Sequence, residues 1–118
     1  MINSCNGTCS EGDNEILFGN TGNGTLNVTP ANLQIFYGTT SPASTSYTDA
    51  LTTNPTTTSN LNAAAGCTLF LEAVGSTIPA NASFVVVRNS ICTSALNWTG
   101  LCGAAPIYII YSTDASWL

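Results

Sequence analysis

In 83-SFVVVRN-89, three consecutive valines stand between a turn and the only basic residue of the chain, Arg88. Side chains of an extended strand alternate, so Phe84, Val86 and Arg88 share one side while Val85 and Val87 share the other. The segment reads as a core strand rather than as the floor of a binding site. Just before it, Ile78-Pro79-Ala80-Asn81 supplies turn chemistry, because proline presets φ and asparagine tolerates the left-handed region. Apolar clusters of strand length recur outward from here, at 14-NEILFGN-20, 25-TLNVT-29, 32-NLQIFYG-38, 67-CTLFLEA-73 and 106-PIYIIYS-112. The glycines of 19-GNTGNG-24 read as a hairpin turn and not as a phosphate loop, since no Lys and no helix start follow. No segment shows a sustained 3.6-residue apolar period. The expectation is an all-β fold in which two packed sheets bury their apolar faces. The Thr- and Ser-rich stretch 39–66 holds Pro42 and Pro55, which argue against a central strand, so it reads as an edge strand near Tyr47 or as a loop.

A chain of 118 residues is a single-domain length, and 1–118 is expected to form one β-sandwich domain. At 44% hydrophobic and 6% charged it is too apolar for disorder, and its polarity rests on uncharged Ser, Thr and Asn. The formal charge of −5 repels nucleic acid and anionic lipid headgroups. Runs such as 83–87 and 106–110 fall far short of the roughly 20 apolar residues that span a bilayer. The first residues, MINSCNGTC, lack the basic region and apolar core of a signal peptide, so a fragment excised from a longer secreted protein is expected, monomeric when isolated.

Five cysteines in a small chain of low charge point to an oxidising compartment and to secretion or the cell surface. Cys92 and Cys102 bracket 92-CTSALNWTGLC-102 between two strand candidates, and a disulfide between them is expected. Cys5 and Cys9 either close a small ring or send one member to Cys67. Zinc is the rival reading of their C-x3-C spacing, but the second half of a four-cysteine cluster and any His are missing.

With no His and no Lys, neither the Ser-His-Asp nor the Cys-His nucleophile system can be assembled, nor a Schiff-base lysine. Glu11, Asp13 and Glu15 in 11-EGDNE-15 are the remaining acid-base candidates, but a solvated strand lead-in has no means of raising one pKa. The chain is therefore read as no enzyme and as needing no cofactor. Glu11, Asp13, Asn14 and Glu15 are also weak calcium candidates, although their spacing does not fit an EF-hand loop. Arg88 is read as pairing with Glu15, Glu72 or Asp114, with ligand binding as the other use. Trp98 is a ligand-contact candidate if its loop holds it out as a stacking platform; the alternative is that it tucks under the loop and caps the core. Tyr47, Tyr108 and Trp117 are further candidate platforms. Tyr108 and Tyr111 fall on opposite strand faces, so at least one belongs to the core. Asn-x-Ser/Thr triplets at Asn6, Asn23, Asn27, Asn81 and Asn97 are what this composition gives by chance.

Taken in order, Glu15-Ile16-Leu17-Phe18, Asn20-Thr21-Gly22, Leu26-Asn27-Val28, Leu33-Gln34-Ile35 and Ile78-Pro79-Ala80 through Val87 resemble the lamin tail domain. The resemblance covers about residues 11–89 and a final strand at 106–112, and is greatest to cysteine-containing versions in large secreted bacterial proteins. It implies an immunoglobulin-like β-sandwich of two antiparallel sheets, acting as a non-catalytic structural, adhesion or protein-interaction module. It transfers no binding residue, because the matching positions are structural. The partner is left open between a protein and a surface glycan. The other functional class in view is a carbohydrate-binding module attached to a secreted polysaccharide-degrading enzyme.

Overall fold

A computed structural model describes residues 16–29, 32–33, 36–37, 45–46, 51–93, 97–103 and 105–113. Their elements in chain order are β1 (Ile16–Asn20), β2 (Leu26–Asn27), β3 (Phe36–Tyr37), β4 (Thr45–Ser46), β5 (Leu51–Thr52), α1 (Pro55–Ala65), β6 (Phe70–Glu72), β7 (Thr77–Ile78), β8 (Ser83–Arg88) and β9 (Ile107–Ser112). A 3-10 turn, Thr99–Leu101, lies between the last two strands. β8 sits inside a five-stranded sheet, antiparallel to β1 from Ile16↔Val87 to Asn20↔Ser83 and parallel to β9 from Phe84↔Tyr108 to Arg88↔Ser112. The far edge of β9 is shared: β6 runs parallel along its first half, and β5 runs antiparallel at its end. Two-stranded sheets pair β2 with β7 and β3 with β4.

The fold is β-rich as read, but the pairing differs from two antiparallel sheets. Parallel neighbours need a crossover of a dozen or more residues. The segment between β8 and β9, which holds the loop bracketed by Cys92 and Cys102, is that crossover. The 19–24 turn likewise closes no hairpin, because β1 pairs with β8 and β2 with β7. It carries the chain from one sheet to the other, with Gly22 at φ 64° and the Asn20 side chain accepting from the Gly22 N–H at 2.8 Å. Asn81, at φ 57°, takes the left-handed turn position ahead of β8.

The valine alternation places apolar groups on both faces of the main sheet. Val85 and Val87 join Ile16, Phe70, Ile109 and Tyr111 under Leu61 and Ala65 of α1. Val86 and Ile110 join Val28, Ala73 and Ile78 on the opposite face, with Leu17, Phe84 and Tyr108 packed alongside. Of the two tyrosines on β9, Tyr111 is fully buried and Tyr108 partly so.

Stretch 39–66 contains more than an edge strand or a loop: β5 and α1 lie within it. Asn54 caps the helix, its Oδ1 accepting from the Thr57 N–H at 3.1 Å, and Pro55 stands in the first turn, where its missing N–H costs nothing. Gly66 ends it at φ 81°, donating its N–H to Asn62 and Ala63 carbonyls. The buried face is Thr58, Leu61 and Ala65, a helical spacing with one large apolar residue. That is too weak a stripe to register as a 3.6-residue period.

Candidate functional site

Two places on the α1 face of the main sheet concentrate chemically capable side chains. The first is a polar node where α1 meets β6 and β9. Glu72, the only carboxylate among the described residues, accepts through Oε1 from the Asn54 N–H at 3.1 Å and from the Thr58 hydroxyl at 2.7 Å. Thr58 Oγ1 also lies 2.7 Å from the Tyr111 hydroxyl. Desolvation by burial pushes the Tyr111 phenol up to about 12; the Thr58 hydrogen bond opposes this and the Glu72 charge adds to it. Asn54 reaches on through Nδ2 to the Asn89 carbonyl and Oδ1, at 3.1 and 2.8 Å. On the same helix, Asn62 Oδ1 accepts from the Leu69 and Phe70 N–H groups, and its Nδ2 donates to the Phe70 carbonyl. Each of these groups fastens α1 to the sheet.

The second place is the segment around Trp98. This side chain is 3% exposed, packed edge-on against Phe70 with ring centroids 5.0 Å apart and tilted against Phe18 at 6.4 Å. It caps the core, which removes it as a stacking platform for a ligand: a ring covered on its faces cannot receive a sugar. The large apolar side chains that do show surface here are Phe18, 40% exposed, and Leu101, 38% exposed. Together with Asn81, Ser83, Ala105, Pro106 and Ile107 they line a groove of about 290 Å³. The groove was not legible in the sequence, because its walls come from β1, the 3-10 turn and the starts of β8 and β9.

The expected Cys92–Cys102 bond is not formed. Cys102 is bonded to Cys67, with Cα atoms 6.0 Å apart across 35 residues of chain. The reason is α1: its left-handed end at Gly66 delivers Cys67 beneath the 3-10 turn, where Cys102 Sγ also lies 3.1 Å from the Ala65 carbonyl. Cys92 is disulfide-bonded too, to a cysteine outside the described residues.

Glu72 does not pair with Arg88. It faces α1, whereas Arg88 falls on the opposite face of β8 by the alternation that separates Val87 from Val86. Glu15 and Asp114, the other expected partners of Arg88, lie outside the described residues, as do Glu11, Asp13 and Asn14 of the calcium candidate and Tyr47 and Trp117. Among the described residues no group of three or more His, Cys, Asp or Glu side chains is placed to hold a metal ion. Nor is any described helix long and apolar enough to cross a membrane. Compared with protein-family models, with curated proteins and with solved structures, the chain matches none.

Proposed function

We propose that this chain is a non-catalytic structural, adhesion or protein-interaction module of an exported cell-surface protein. One observation carries the reading: the described side chains best equipped for chemistry are used to hold the fold. Glu72, Thr58, Tyr111, Asn54 and Asn62 are joined to one another or to backbone groups between α1 and the sheet. An acid-base pair needs a carboxyl that can exchange protons with a substrate, whereas Glu72 gives Oε1 to the helix and holds Oε2 buried, without a partner among the described residues. The Cys67–Cys102 disulfide and the scarcity of charge support an exported location. The likeness to lamin tail domains belongs to the same proposal.

The test is a panel of polysaccharides, esters, peptides and phosphodiesters incubated with the purified chain. No turnover is expected, and Glu72→Gln is expected to lower Tm. Turnover that disappears in Glu72→Gln with Tm unchanged would overturn the reading. Retention on an insoluble polysaccharide, abolished in Phe18→Ser at unchanged Tm, would instead move the chain to the carbohydrate-binding class.

A further inference from the structure

We propose that residues 97–103 form a flap over the α1 face of the sheet, clasped by the Cys67–Cys102 disulfide and released by a dithiol reductant. The hydrogen bonds of this segment close on itself. The Thr99 N–H and hydroxyl donate to Asn97 Oδ1 at 3.1 and 2.6 Å, the Leu101 N–H to the Trp98 carbonyl at 3.0 Å, and the Cys102 N–H to the Thr99 carbonyl at 3.3 Å. Among the described residues, no hydrogen bond ties the flap to a strand. Every one of its residues except Trp98 is exposed. What holds it to the rest of the fold is the burial of Trp98 in the core, its ring against Phe70 and Phe18, the Cys102 sulfur beside the Ala65 carbonyl, and the bond from Cys102 to Cys67.

These attachments are unequal in kind. Burial of the indole favours closure, but its N–H is buried with no partner among the described residues, which offsets part of the gain. A single 3-10 turn with an exposed backbone adds little stability of its own. The crosslink changes the statistics: it keeps the flap at high local concentration over its seat, so that each opening is followed by reclosure. Without it, the Trp98 contact must hold alone.

Cys102 is an exposed residue, and its bond to Cys67 is the point of exchange in this proposal. One thiolate of the dithiol attacks a sulfur of the pair and forms a mixed disulfide, and the reductant's second thiolate resolves it. Two electrons and two protons pass to the protein, Cys67 and Cys102 leave as thiols, and the reductant becomes a cyclic disulfide. The released flap carries away Leu101, one wall of the groove, and uncovers the Phe18 and Phe70 rings beneath Trp98. The groove thus deepens onto an aromatic floor in the reduced form. This inference stands apart from the module reading, since the clasp works the same way whatever the groove serves.

Hydrogen exchange compares the oxidised chain with C67S/C102S, which removes this crosslink and leaves the Cys92 disulfide in place. The Leu101 and Cys102 amides are expected to exchange about tenfold faster or more in the variant, with β8 and β9 amides still protected. Brief dithiol treatment of the native chain is expected to reproduce that pattern. Unchanged exchange in 97–103 would overturn the proposal, because Trp98 would then suffice to hold the flap. Loss of protection across β8 and β9 would also overturn it, because the crosslink would then hold the fold as a whole.

Discussion

Tyr111 brings a hydroxyl into the buried face of the main sheet, and among the described residues the Thr58 hydroxyl alone meets it there. With its phenol pushed up from 10.0 to about 12, the folded chain keeps a proton that the unfolded chain gives up. Stability from this source is full below about pH 10 and is lost as the pH rises towards about 12. The whole difference corresponds to on the order of 2–3 kcal/mol. Tyr111→Phe is expected to cost about 1 kcal/mol at neutral pH, from the lost hydrogen bond, and to flatten this alkaline decline. Urea unfolding at stepped pH checks it; a variant declining as steeply as the native chain would show another group responsible. Gly19 is a second position where one atom decides. A Cβ there would stand 2.3 Å from the Phe84 ring, across the Gly19↔Phe84 pair. Gly19→Ala is expected to cost about 1–3 kcal/mol by displacing that ring from its seat. In a Phe84→Ala background the same substitution should cost far less, and a double-mutant cycle by chemical unfolding measures the coupling.

At the level of elements, α1 depends on Asn54 more than on its own propensity, because five of its eleven residues are Thr, Ser or Pro. Asn54 caps the first turn, donates to Asn89 and offers its N–H to Glu72. Asn54→Ala is expected to lower stability by about 1–2 kcal/mol, whereas Asn60→Ala, on the exposed side of the helix, should stay within about 0.5 kcal/mol. Thermal unfolding of the two variants tests the contrast. The same helix shows what the sequence conceals. β8 and β9 were legible because valine and isoleucine alternate between two apolar faces, and the Asn81 turn was legible from its proline and asparagine. α1 was hidden because threonine takes a core position by giving its hydroxyl to Glu72, so the apolar stripe lost a member. Asn54-Pro55 at the start and Gly66 at the end were the marks that would have revealed it. β5 and β7, two residues each, are strands only because β9 and β2 lie beside them.

For the molecule as a whole, the pieces that read wrongly are those set by contacts distant in sequence. Cys67 is placed beside Cys102 by the end of α1, and the groove takes its walls from β1, the 3-10 turn and the starts of β8 and β9. The pairing order of the sheet has a mechanical meaning. Ile16 opens β1 beside Val87, and Val87 lies beside Tyr111, next to last in β9. The chain therefore enters β1 and leaves β9 at the same end of the sheet, two strand spacings or about 10 Å apart. Pulling on those two points loads the β1–β8 hydrogen bonds one after another, as a zipper is opened, rather than all together in shear. Force applied at those two points therefore opens the sheet from one end, at a far lower load than the same strands would bear if their ends faced opposite ways.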